Sequence, residues 1–471
     1  MKYSEFCLQK KPRATDFGFE PTEDFAPVLY PFQLAMTRVA LRRGRCALFA
    51  ECGLGKTPMQ LVWSHEVARH VGGQVLILAP LAVSQQTIRE GTKFGLPVSY
   101  ARDKSEVRDR VTITNYERLD GFDLTQFAGI VLDESSILKA YTGKTKRAIV
   151  DGFKDTPYRL ACSATPAPND YMELGNHSEF LGIMSSNEML ARWFIVNIDG
   201  SVTCNYRIKG HAVGEFWDWV SSWASMASRP SDISPEFDDS AFELPQLNVI
   251  RHCVGVDITK GDTKGKLFRI PETSATNIHV ERRLSIGERV EFARGLIASQ
   301  PNEPWLIWAD TDYEADALAA SVEGLVNVKG SLSIERKESA LLDFTTGASL
   351  RLLTKPKIAG FGLNWQHCAN VMFIASTFSF ESWYQAIRRC YRFGQTRQVN
   401  VHMVFGSTEA SVMDILERKR IEFVSMQKAM FDAARRRQHQ AADNGDYLPR
   451  AAMTIPNWLR EENESARRKS A

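Results

Sequence analysis

The chain has 471 residues, 44% of them apolar and 24% charged, the composition of a soluble globular protein long enough for two or three domains. A net charge of +2 excludes a global basic field, so any affinity for nucleic acid must come from local patches. The eight cysteines (7, 46, 52, 162, 204, 253, 368 and 390) form no C-x-x-C pair, which points to a reducing compartment and against zinc. No signal-peptide pattern opens the chain and no apolar run approaches membrane-spanning length, so a soluble, cytoplasmic protein is expected.

Residues 1–26 read as an irregular leader. Leu29-Tyr30-Pro31-Phe32-Gln33 then opens an amphipathic stretch carrying Leu34, Met36, Val39 and Leu41. Gln33 is open to two readings: a solvated residue, or a paired donor and acceptor for an adenine edge. The next stretch favours the second. Ala50-Glu51-Cys52-Gly53-Leu54-Gly55-Lys56-Thr57 lies between a short apolar run (46–49) and a helical pattern (58–71), the setting of a phosphate-binding loop. Gly53 and Gly55 let backbone N–H groups turn inward, and the helix start adds partial positive charge. Lys56 can reach terminal phosphates and the Thr57 hydroxyl can ligate Mg²⁺. The loop begins with Ala50 where the strict pattern has glycine.

Buried parallel strands follow at 74–79, 111–115, 129–133 and 158–163, alternating with helical patterns. Ligands in such sheets bind at the carboxyl ends of strands, where Lys56, Asp133 and Ser163 all fall. Asp133-Glu134 fits the second half of an NTPase site, one acid for Mg²⁺ and one to orient or deprotonate the attacking water. Ser163 and Thr165 supply hydroxyls at the next strand end. Residues 175–240 carry Trp193, Trp217, Trp219 and Trp223 on short helical patterns, with core packing favoured over base stacking. A Pro/Ser/Asp-rich stretch at 228–240 reads as a linker.

A second α/β series has strands at 305–309, 326–329, 350–355, 371–375 and 399–405, with helices near 313–322, 334–344 and 382–392. On the last helix Arg389 and Arg392 would share a face, where they could reach a phosphate across a cleft as arginine fingers do. A long helix is expected over 408–438, ending in Arg435-Arg436-Arg437, and a polar tail closes on Arg467-Arg468-Lys469. These basic ends read as solvated, with contact to nucleic-acid phosphate as the sharper alternative.

The ordered blocks AECGLGKT, APLAVSQQ, TITNYERL, VLDESS, SATPAPND, AGFGLNW and QAIRRCYRFGQ resemble motifs I, Ia, Ib, II, III, V and VI of superfamily-two helicases. The SWI/SNF-like branch of DNA translocases is the nearest likeness, in a short form like those of phages and bacteria, and it covers residues 29–430. The resemblance implies an α/β fold of two RecA-like parallel-sheet lobes in tandem, with a helical insert and a C-terminal helix. The lobes are expected at 27–174 and 241–407, the insert and linker at 175–240, and the helix and basic tail at 408–438 and 439–471. ATP with Mg²⁺ would lie between the lobes and DNA, duplex favoured, across both.

Carried over by position, Gln33 resembles the adenine reader, and Gly53, Gly55, Lys56 and Thr57 the phosphate and Mg²⁺ ligands. Asp133 and Glu134 resemble the metal-binding and catalytic acids, Gly362 lies in motif V, and Arg389 and Arg392 match the motif VI arginines. Pro80, Thr114, Ser163, Thr165 and Thr354 stand where the family touches DNA backbone or couples its lobes. Motif II departs from the family in reading DESS, and motif V in bulky Phe361 and Trp365. The function implied is a DNA-stimulated ATPase that translocates on duplex in a prokaryotic or phage-infected cell. A strand-separating DNA or RNA helicase is one rival. The other is an ATP-gated DNA clamp that recruits a DNA-modifying or replication partner protein.

Overall fold

The computed structural model describes residues 14–22, 25, 27–139, 143–167, 170–197, 205–257, 259, 278–359, 364–375 and 379–443. Helix α1 (Pro31–Arg43) starts on a proline, whose missing N–H is an orphan at that position anyway, and stops at Gly44 with φ 73. Strand β1 (Arg45–Ala50) runs through the glycine loop into α2 (Lys56–Val71). The chain continues through β2 (Gln74–Ala79), α3 (Leu81–Lys93), β3 (Ser99–Tyr100), β4 (Val111–Asn115), β5 (Phe127–Asp133), α4 (Lys144–Gly152) and β6 (Tyr158–Cys162). Helices α5 (Glu173–Leu181) and α6 (Ser186–Trp193) then precede an antiparallel hairpin, β7 (Phe194–Asn197) and β8 (Asn205–Ile208). After α7 (Val213–Trp223), β9 (Ala224–Ala227) completes a seven-stranded sheet in the order β3-β4-β2-β5-β6-β1-β9, every pair parallel.

The second lobe begins with β10 (Leu247–Val254), followed by α8 (Ile278–Leu284), α9 (Ile286–Ala298), β11 (Trp305–Trp308), α10 (Asp312–Ser321) and β12 (Val326–Val328). Then come α11 (Ile334–Thr346), β13 (Arg351–Thr354), α12 (Pro356–Ala359), β14 (Asn370–Phe373), α13 (Phe380–Ile387) and β15 (Val399–Gly406). This six-stranded sheet is also fully parallel, ordered β10-β15-β14-β11-β13-β12. Its central strands β11, β13 and β14 are almost wholly buried, as parallel strands covered on both faces must be.

Helix α14 (Ala410–Asp443) links the lobes. Val412, Met413 and Leu416 are buried near its start, and Met426, Met430, Ala433 and Ala434 further along, where the helix packs on α7 and β9 of the first lobe. Arg435, itself partly exposed, pairs with buried Asp232, so the first cation of the basic run has a partner within the chain.

Three features differ from the sequence expectation. Residues 175–240 contain strands as well as helices, because Ala-Ser-Met-Ala at β9 has weak intrinsic strand preference and is a strand only through its pairing with β1. Strand β10 was hidden by Arg251 and His252, which an edge strand tolerates and a buried one does not. The leader is partly fastened: the Gly18 and Phe19 amides donate to Arg42 O and Leu41 O, and Phe19 stacks on His70. All four tryptophans of 175–240 are core residues, at most 2% exposed. No helix among the described residues is long and apolar enough to cross a membrane.

Candidate functional site

The loop between β1 and α2 needs glycine twice, since Gly53 and Gly55 adopt left-handed φ of 94 and 73. A Cβ on Gly55 would strike Gln33 Nε2, and one on Gly53 would stand 2.8 Å from the Phe393 amide nitrogen of the second lobe. Gln33 is buried and braces the loop, donating from Nε2 to Leu54 O (2.8 Å) while Oε1 accepts from Tyr30 N (2.9 Å). One amide hydrogen and one lone pair remain for a base edge. Lys56 Nζ curls back on the loop, donating to Ala50 O at 2.9 Å and Glu51 O at 3.5 Å, and half-buried Thr57 follows it in the first helical turn.

Asp133 ends β5, its Oδ1 accepting from Gln60 Nε2 at 2.8 Å. Lys56 and Gln60 stand one turn apart on α2, so one helix face holds both the loop cation and the partner of the acid. Burial raises the Asp133 carboxyl above its ordinary value, against the pull of Gln60 and Lys56. Glu134 follows with φ 56, the only non-glycine residue with positive φ among the described residues. Burial pushes its carboxyl up to about 7, and its Oε2 is buried with no hydrogen-bond partner. A buried carboxylate oxygen without a partner can accept a hydrogen bond from a donor such as water.

Ser163 Oγ accepts from Thr165 N at 3.0 Å, while the Thr165 and Thr114 hydroxyls are buried without partners. Pro80 follows the carboxyl end of β2, and Thr354 ends β13 with its hydroxyl donating to Val328 O at 3.1 Å. Gly362 lies outside the described residues.

In the second lobe α13 stops at Ile387, so Arg389 and Arg392 lie in the turns beyond it and not on one helix face as expected. Turns and bends carry the chain from Arg388 to Gly394, which has φ 88. Arg389 is buried and its Nε donates to Gln385 O (3.2 Å); its charge weakly opposes the rise that burial imposes on the Asp133 and Glu134 carboxyls. Arg392 is directed at Asn364, and burial pulls its guanidinium down to about 10.

Sequence reasoning passed over Glu51, which is buried between the lobes. Its carboxylate accepts from Cys52 N (2.7 Å), Tyr384 Oη (2.7 Å to each oxygen) and Gln427 Nε2 (3.0 Å), with Arg388 Nη2 at 3.4 Å. Those donors hold Glu51 below the usual carboxylate range although burial opposes them. Lys139 pairs with Glu381 across the same junction, and Phe393 packs on Phe242 of the connecting segment at 4.9 Å between centroids. The only sequence signal was an acid placed inside the glycine loop.

Two parallel-sheet lobes in tandem, joined at the glycine loop of one and the arginine segment of the other, form a helicase-type fold. Residues 288–394 match the helicase conserved C-terminal domain. The mouse "DNA annealing helicase and endonuclease ZRANB3" is 21% identical over 445 residues, 83% of this chain. The chain spans 40% of that relative's length. Yeast (S. cerevisiae) Dbp5, solved bound to RNA and ADP BeF3, superposes over 88% of this chain and 100% of its own with a TM-score of 0.53 and 14% identity. Together these findings show a helicase-type fold, with a helicase C-terminal domain match in the second lobe.

Proposed function

We propose that this chain is an ATP-dependent DNA translocase of the SWI/SNF-like branch, in a short phage or bacterial form, that hydrolyses ATP between its lobes and moves on duplex DNA. One observation carries the reading: the glycine loop of the first lobe abuts the arginine segment of the second, a Cβ on Gly53 falling 2.8 Å from Phe393 N and Glu51 bonding Tyr384 and Arg388. A site divided in this way ties hydrolysis to lobe orientation.

The residues fit a magnesium nucleotide. The Gly53–Gly55 turn leaves backbone donors free of Cβ atoms, and Lys56 needs only to leave two loop carbonyls to meet a phosphate. Thr57 and Asp133 offer hard oxygens that would hold Mg²⁺, which supplies charge neutralisation at the phosphates when bound. Glu134, with one oxygen unpartnered, takes the proton of the attacking water. Arg389 and Arg392 offset charge that develops on the transferred phosphoryl group. Gln33 reads the base with the remainder of its amide. Pro80, Thr114, Ser163, Thr165 and Thr354 surround the strand ends as contacts to backbone or between lobes. DNA rather than RNA is favoured by the motif order and by the DNA named for the mouse relative. A DNA-modifying or replication protein is the candidate second partner.

Steady-state ATPase rates with no nucleic acid, single-stranded DNA, duplex DNA and RNA test the reading. Duplex stimulation supports it; stimulation chiefly by single strands moves the assignment to unwinding.

A further inference from the structure

His177, in the middle of α5, is wholly buried and belongs to none of the expected site residues. Its Nδ1 lies 3.2 Å from Glu173 O, a carbonyl that can only accept, so Nδ1 carries the ring proton. Nε2 is then bare, and the Ser135 hydroxyl 3.1 Å away donates to it. Burial pulls the imidazole down to about 4, so the ring stays neutral near pH 7 and this direction of donation is fixed. The ring also stands edge-on to Phe49 of β1 at 5.3 Å, against the strand that feeds the phosphate loop.

Ser135 directly follows Glu134, whose left-handed backbone is costly for a residue with a Cβ and persists only where neighbours impose it. Neighbours do so on both sides. Before it, Tyr116 Oη donates to Asp133 O at 2.7 Å. After it, Ser135 is tied to His177, and Asn176 Nδ2 donates to Leu138 O at 2.8 Å. We propose that His177 is a positioning residue: by accepting from Ser135 it holds the Glu134 turn in its left-handed conformation and aims the carboxylate at the reacting water. The proposal rests on the ATP-hydrolysing reading of Glu134. It adds that α5, which follows the Ser163–Thr165 segment in sequence, sets the geometry of the acid.

The test compares kcat and KM for ATP, fluorescent-nucleotide affinity and melting temperature in wild type, Ser135→Ala, His177→Leu, His177→Gln and Glu134→Gln, all in the full chain. Ser135→Ala and His177→Leu should each lower kcat about tenfold, equivalent to about 1.4 kcal/mol of barrier, with KM and nucleotide affinity within about twofold of wild type. His177→Gln, whose amide oxygen can stand where Nε2 accepts, should recover most of the loss. An unchanged kcat in Ser135→Ala overturns the proposal, as does a His177→Gln variant no better than His177→Leu. If His177→Leu does not fold, Ser135→Ala decides alone. Wild-type turnover that Glu134→Gln leaves intact would instead remove the ATPase assignment on which the proposal rests.

Discussion

Replacing Glu51 by alanine removes the acceptor at the centre of the contact between lobes. Cys52 N is local and keeps its place in any lobe arrangement, but Tyr384, Gln427 and Arg388 all come from the second lobe or its following helix. Side-chain exposures of 10% for Glu51 and 14% for Arg388 make this a buried pair, with Tyr384 and Gln427 also donating to the same charge from outside the first lobe. Removing one partner of a buried ion pair costs about 3–5 kcal/mol, because the other charge is left without compensation. Taking the lower figure, the closed arrangement loses more than about 100-fold in population relative to any open one. Glu51→Gln, which keeps the shape and one acceptor oxygen but removes the charge, should lose less than Glu51→Ala. Small-angle scattering on the nucleotide-free chain reads the outcome directly: Glu51→Ala should have a larger radius of gyration than wild type, and Glu51→Gln an intermediate one. A folded Glu51→Ala chain with the wild-type scattering profile would refute the reasoning and make the cluster an incidental contact.

Lys56→Ala and Glu134→Gln should each abolish ATP turnover, whereas Arg392→Ala should abolish it while ATP still binds; steady-state hydrolysis and fluorescent-nucleotide titration separate the cases. Gly53→Ala places a Cβ 2.8 Å from Phe393 N on a backbone with φ 94, so it should lower both melting temperature and turnover, and a variant with both unchanged would contradict the close approach. Glu134 must be ionised to act as a base, and its carboxyl is raised to about 7, so kcat/KM should fall as pH drops through about 7. An acid limb near the ordinary 4.5 would mean that the carboxyl is not held in its buried setting.

The strand, two left-handed glycines and helix start around Lys56 were legible because they are contiguous in sequence, and the structure has them in that order. The acid pair was equally plain, since β5 is a continuous apolar run broken only at Asp133. The helical placement of Arg389 and Arg392 failed because 382–392 reads as one helical stretch, whereas the helix ends at Ile387 and turns follow from Arg388. Glu51 and Gln427 were beyond sequence reasoning for another reason: they stand 376 residues apart, and nothing local marks an acid that will be buried by a distant helix. His177 was hidden likewise, a lone histidine in an amphipathic stretch whose partner, Ser135, is named by the fold alone. Strand β9 escaped because pairing, not propensity, makes it a strand.

The central claim, that hydrolysis between the lobes drives movement along duplex, is tested most directly by displacement of a third strand from a triplex-bearing DNA. The account predicts ATP-dependent displacement by wild type and none by Lys56→Ala or Glu134→Gln. Duplex-stimulated ATP hydrolysis without any displacement would contradict it, leaving a clamp that binds and resets without travelling.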